Sequence, residues 1–173
     1  MKKFALILAI PFAISACGGG TSVDGHDHKQ GTTNDKTTQK EQPAVDPNAK
    51  EVTINLSGGD DMKYNLREIK VKEGQKITVE LVHTGKMPKG TMGHNFVLLK
   101  EGVNLGDFAR EALKHQDNEF IPKDMKDIIA HTKMIGGGEK TSVTFDAPAK
   151  GTYEFLCTFT GHSAMMRGKF IVE

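Results

Sequence analysis

The chain contains two cysteines, Cys17 and Cys157, and no tryptophan. So few thiols exclude a scaffold stapled by several disulfides. Aromatic residues are sparse, with nine Phe and two Tyr, and apolar residues make up 37% of the chain. That is low for a wholly globular sequence and points to a polar tail. No excess of one charge exists either, because 23 basic residues face 22 acidic ones. No global field therefore draws nucleic acid or a strongly charged partner. The longest apolar run, Phe4 to Ile14, falls short of the roughly 20 residues that span a bilayer. At 173 residues and 18.9 kDa, the chain has room for one domain with a tail.

The apolar run follows Lys2 and Lys3 and ends in small residues, the pattern of a secretory signal peptide. Its last residues, Ile14-Ser15-Ala16-Cys17 before three glycines, resemble the lipobox of bacterial lipoproteins. By that resemblance residues 1–16 are removed and Cys17 becomes the lipid-modified N-terminus. Residues 17–50 are mostly Gly, Thr, Ser, Asp, Gln, Lys and Pro. Such a segment buries too little apolar surface to offset its ordering entropy, so a disordered linker is expected. His26 and His28 lie within it and read as linker histidines rather than a metal site.

From residue 51 the pattern changes. Residues 51–56 and 76–81 alternate apolar and polar with period two, as half-buried strands do. Further strand-like runs are Tyr64–Val71, Asn95–Leu99, Thr141–Phe145, Thr152–Thr158 and Lys169–Val172, separated by Gly-, Asp- and Pro-containing clusters. Seven or so short strands predict an all-β sandwich over residues 51–173. Residues 106–116 place Phe108, Ala109, Ala112 and Leu113 at helical spacing, which predicts one short inserted helix.

The chemistry is densest in Cys157-Thr158-Phe159-Thr160-Gly161-His162-Ser163-Ala164-Met165-Met166. A thiolate, an imidazole and a thioether are soft or borderline ligands and suit copper better than any hard cation. A blue-copper site needs two His and one Cys with a weak axial ligand, so a second imidazole must come from elsewhere. The candidates are His83, His94, His115 and His131. His94 stands in Met92-Gly93-His94-Asn95, directly before an apolar strand, where a rigid scaffold positions a ligand. His115 reads as solvated, and His83 and His131 as buried and hydrogen-bonded.

Residues 51–173 resemble the azurins, members of the cupredoxin family. The resemblance rests on Met92–Leu98, Ile129–Gly136 and Cys157–Met166, and above all on the Cys-x4-His-x3-Met spacing. It implies a Greek-key β-sandwich holding one type 1 copper. It further implies equatorial ligands His94, Cys157 and His162, an axial Met166, and a distant carbonyl at Gly93. Asn95 and the backbone of Phe159 are implied to hydrogen-bond near the Cys157 sulfur. Met62, Met87, Met92, Phe159, Ala164 and Met165 are implied to form an apolar surface around an exposed His162. The azurin disulfide is absent, since Val52 and Gly74 occupy the corresponding region. Thr160 replaces the usual Pro, and Phe96 the usual Trp.

A copper with four protein ligands has no open position for a substrate. The expected function is therefore that of an electron carrier rather than an enzyme, tethered by lipid to a membrane of the cell envelope, facing the periplasm or in the outer membrane. Its expected partner is a c-type cytochrome or a membrane oxidase or reductase, with no nucleic acid and no small-molecule substrate. A copper storage or delivery lipoprotein is the alternative.

Overall fold

A computed structural model describes Asp46 and residues 49–173. The expected signal peptide, Cys17 and the segment with His26 and His28 lie outside the described residues. Eight strands form two sheets: β1 (Glu51–Gly58), β2 (Glu68–Val71), β3 (Lys76–His83), β4 (Val97–Leu99), β5 (Ile128–His131), β6 (Lys140–Asp146), β7 (Gly151–Leu156) and β8 (Arg167–Val172). One sheet runs β1-β3-β6 and the other β2-β8-β7-β4-β5. β1 pairs with β3 in parallel and β2 with β8 in parallel, while the other pairings are antiparallel. The result is the all-β sandwich expected from the strand pattern, with the Greek-key arrangement that the azurin resemblance implies.

Alternation does the folding work. In β3, Ile77, Val79 and Leu81 are fully buried while Lys76 and Glu80 are exposed. The inward faces of the two sheets meet in a core that includes Ile54, Leu56, Ile69, Phe96, Phe155 and Phe170. A second cluster covers the other face of the larger sheet. There Val97, Leu99 and Leu156 meet Leu105, Phe108 and Ala112 of the helix α2 (Leu105–Ala112). The Asn104 side chain accepts from the Asp107 N–H at 3.0 Å and caps that helix, as an N-cap Asn is expected to.

Several boundaries differ from the sequence expectation, each for a long-range reason. The strand expected over Tyr64–Val71 begins only at Glu68. Before it, the Asn65 side chain accepts from Ser57 N–H at 2.7 Å and Tyr64 forms an isolated bridge with Gly58, so this stretch crosses between sheets instead of running in one. The helix stops at Ala112, and residues 113–118 continue as a 3-10 turn kinked at His115. A further turn, α1 (Lys89–Met92), precedes the His94 segment. β5 carries no clear period-two signal because Ile128 and Ala130 are buried and the partly buried Ile129 between them packs against the core between the sheets.

Candidate metal centre

Three donors converge at one end of the sandwich. Ring nitrogens of His94 and His162 and the Cys157 Sγ lie within 4.8 Å of one another, and all three residues are buried. The loop from Cys157 to Met166 closes on itself to achieve this. Cys157 N–H donates to the Met166 carbonyl at 2.9 Å, Met166 N–H to the His162 carbonyl at 2.8 Å, and His162 N–H to the Phe159 carbonyl at 3.0 Å. Gly161 turns the chain with φ +81°, a left-handed conformation that glycine adopts without steric cost.

His94 is fixed from three sides. Its backbone exchanges both hydrogen bonds with Ile135 at 2.9 Å. Its ring stacks on His83, with centroids 4.1 Å apart and planes 10° from parallel. Its Nε2 faces the Gly59 carbonyl at 2.9 Å and its Nδ1 the Gly93 carbonyl at 2.8 Å. Burial lowers the pKa of this ring, so it is neutral and carries one N–H. If Nε2–H donates to Gly59, the Nδ1 lone pair is left pointing at a carbonyl oxygen, a repulsive contact that a bound cation relieves. Metal-ligating histidines donate their other N–H in just this way. The donor set therefore fits copper.

The Cys157 sulfur lies 3.6 Å from His162 Nδ1 and 3.7 Å from the Gly93 carbonyl. Burial pushes its thiol up to about 11, although hydrogen bonds from the backbone of Asn95 and Phe159 pull the other way. Metal binding must then displace a proton from this sulfur. Asn95 ties the two ligand-bearing segments together. Its Nδ2 donates to Thr158 Oγ1 at 2.8 Å, and Thr158 N–H donates to its Oδ1 at 2.9 Å. The Tyr64 hydroxyl donates to the Asn95 carbonyl.

Met166 is fully buried while Met165 is 41% exposed, so the adjacent methionines do face opposite ways. They lie between a 3-10 turn and β8 rather than within the strand. Met166 sits beside His94, because a Cβ added at Gly58 would lie 2.8 Å from Met166 Cε and 3.0 Å from His94 Cδ2. The role of Gly58 was not legible from sequence, where it reads only as a turn residue. Gly58→Ala should therefore crowd both side chains and weaken copper binding by about tenfold, the scale of a perturbation next to a ligand. A competition titration against a chelator checks this. At Gly93 a Cβ would lie 2.7 Å from the Lys89 carbonyl and 2.9 Å from both the Met134 sulfur and the Phe159 ring.

The other histidines do not join the cluster. His83 receives the Gly85 N–H on Nδ1 at 3.1 Å, which leaves Nε2–H to donate to the Met92 carbonyl at 2.7 Å. Both nitrogens are occupied. His131 Nδ1 lies 3.1 Å from the Thr132 carbonyl. His115 is half-buried rather than solvated, with Nε2 3.5 Å from Glu111 Oε1. His162 also departs from expectation, being 2% exposed rather than open to solvent. The Phe159 ring, 4.7 Å from its own, covers it on one side. Of the residues expected to form the apolar surface, Met87, Ala164 and Met165 are exposed, and Met62, Met92 and Phe159 half-buried.

Comparison with known proteins agrees with this geometry. Residues 50–173 match the model of copper binding proteins of the plastocyanin/azurin family. Azurin-1 of Alcaligenes xylosoxydans xylosoxydans is 42% identical over 122 residues, covering 68% of this chain and 95% of that protein. Outer membrane protein H.8 of Neisseria gonorrhoeae is 42% identical over 118 residues, covering 66% of this chain but only 63% of the relative's length. Among solved structures, auracyanin A, a "blue" copper protein of Chloroflexus aurantiacus, superposes with TM-score 0.65 at 32% identity, covering 71% of this chain and 99% of that one. With a sandwich of the right topology, a buried His-Cys-His cluster at its end and these relatives, the chain belongs to the plastocyanin/azurin family of copper-binding proteins.

Proposed function

We propose that this protein is a lipid-anchored blue copper protein that carries single electrons between redox partners in the cell envelope, with His94, Cys157 and His162 as equatorial ligands and Met166 as axial ligand. The observation that carries this reading is the enclosure of the cluster: all three donors lie within 4.8 Å and are buried, and Met166 beside them is fully buried too. A site closed by protein ligands leaves no position for a substrate. Copper bound there supplies a one-electron couple between Cu(I) and Cu(II). The chain's part is to hold the donors still, through the His83 stack, the Asn95–Thr158 bonds and the self-closed loop, so that little rearrangement opposes the electron.

Electron exit at His162 is favoured by its place in the ligand loop, next to exposed Gly161, Ala164 and Met165. An apolar surface there, with Met62, Met87 and Met92, suits the small, quickly released contacts of redox encounters. The partner we infer is a c-type cytochrome or a membrane oxidase or reductase. The domain plan is a signal peptide over 1–16, a lipidated Cys17 with linker to residue 50, and the copper domain over 51–173. The Neisseria relative is named an outer membrane protein, which supports an envelope location.

Protein-film voltammetry tests the function: a reversible one-electron couple with rapid self-exchange is expected. Copper that is instead handed over intact to an apo-acceptor, with no reversible couple, would indicate storage or delivery. Met166→Leu should keep the visible absorption and raise the reduction potential, because a weak thioether that helps stabilise Cu(II) is replaced by an apolar group. Met165→Lys should leave the potential unchanged and slow self-exchange, since a charge in the contact surface costs desolvation and repels a like copy. A potential that moves with Met165 and not with Met166 would reverse their assignments. For the tether, Cys17→Ala should shift the chain from the membrane fraction to the soluble fraction or leave it unprocessed. Mutant protein that is cleaved and still sediments with membranes contradicts the anchor.

A further inference from the structure

The segment that leaves the helical insertion carries two consecutive non-glycine residues in the left-handed region, Glu119 at φ 54° and Phe120 at φ 62°. Bulky side chains adopt this conformation only when their surroundings impose it. Here both side chains are engaged, and both engagements lead toward the metal centre. The Glu119 carboxylate accepts from the Met134 N–H at 2.9 Å through Oε2 and from Lys89 Nζ at 3.2 Å through Oε1. Lys89 opens α1, the turn directly before Gly93 and His94, and its carbonyl lies with the Met134 sulfur around the Gly93 α-carbon.

Phe120 is 6% exposed. Its ring meets the Phe159 ring edge-on, with centroids 5.5 Å apart. The Phe159 ring in turn lies 4.7 Å from the His162 imidazole. Phe159 also receives the His162 N–H on its carbonyl and contributes a backbone hydrogen bond at the Cys157 sulfur. It packs against both hydrophobic clusters, the one between the sheets and the one under α2. Phe159 is thus where the insertion meets the ligand loop, and Phe120 is the ring that presses on it.

We propose that Phe120, held in its left-handed conformation with its N–H on the His115 carbonyl, is a positioning residue for the metal centre: it fixes the Phe159 ring and through it the His162 imidazole. The proposal rests on the copper-ligand reading given above. It assigns the insertion between β4 and β5 a second role beyond covering the sheet. Glu119 holds the His94 side of the site through Lys89 and Met134, and Phe120 holds the His162 side through Phe159. Edge-to-face ring pairs are directional, so an aliphatic side chain fills the space without fixing the ring's angle.

Phe120→Leu keeps an apolar side chain with the same backbone demand. Phe120→Tyr keeps the ring, and Phe108→Leu removes from the same cluster a ring on α2 that, among the described residues, forms no ring pair with Phe159. Expected for Phe120→Leu is about a tenfold loss of copper affinity, as for residues that orient ligands, together with a shifted reduction potential and visible spectrum. Phe120→Tyr should restore all three, and Phe108→Leu should lower thermal stability without moving them. In the apoprotein, the nuclear Overhauser contact between the Phe159 and His162 rings should weaken in Phe120→Leu and persist in Phe108→Leu. Equal affinity, potential and ring contact in the two leucine variants would overturn the proposal. Wild-type protein that binds no copper would instead overturn the ligand reading, and the ring contact in the apoprotein would still decide whether Phe120 positions His162.

Discussion

Cys157→Ser should abolish the intense visible absorption of the copper-loaded protein while leaving a folded domain. The band requires a thiolate sulfur bound to copper, and Cys157 is the one cysteine in residues 51–173. Its side chain is fully buried, yet the surrounding core rests on Phe96, Phe155, Phe170 and the aliphatic residues of β1 and β3. A serine hydroxyl at this position lies beside the Gly93 carbonyl and His162 Nδ1, the two groups nearest the sulfur, and can hydrogen-bond to either. Cooperative thermal unfolding should therefore persist. Absorption spectra and calorimetry of the same sample check both halves, and a serine variant that keeps the band would remove Cys157 from the ligand set.

The apoprotein should lose about 3 kcal/mol of stability between pH 7 and pH 4, mainly through His162. Burial, followed by the nearby His94 and His83, pushes this imidazole from its ordinary 6.5 down to about 4. Between those values the unfolded chain binds a proton that the folded chain does not. Protonation therefore favours unfolding, and stability falls as pH drops through the window and is level above it. His94, whose pKa burial also lowers, adds to the same trend. Chemical denaturation of apoprotein across this range measures the slope, and apo His162→Gln should show a visibly flatter one. An unchanged slope in that variant would place the titration elsewhere. Copper should steepen the wild-type curve instead, because the loaded site holds no proton on His162 or Cys157 while the unfolded chain takes up both.

Much of this molecule is legible in the sequence because its signals are local. The period-two pattern of residues 51–56 and 76–81 marks two strands of the smaller sheet. The Cys157-x4-His162-x3-Met166 spacing brings three candidate donors into one loop, and Gly93-His94-Asn95 before an apolar strand marks the fourth. What escaped depends on contacts distant in sequence. His83 reads as a buried, hydrogen-bonded histidine, but nothing in the chain near it says that its ring stacks on His94. Gly58 reads as part of a turn, whereas it extends β1 and leaves room for both His94 and Met166. Tyr64 reads as the start of a strand, whereas its hydroxyl is drawn to the Asn95 carbonyl. The Phe159 ring that covers one side of the buried His162 meets the ring of Phe120, 39 residues earlier in the chain.

The most direct measurement is an absorption and EPR spectrum of purified protein after addition of one equivalent of Cu(II). A cluster of His94, Cys157, His162 and Met166 predicts intense visible absorption that saturates at one copper per chain, with the compressed copper hyperfine splitting that a covalent thiolate bond produces. Weak absorption with the wide splitting of copper bound only to nitrogen and oxygen would contradict it.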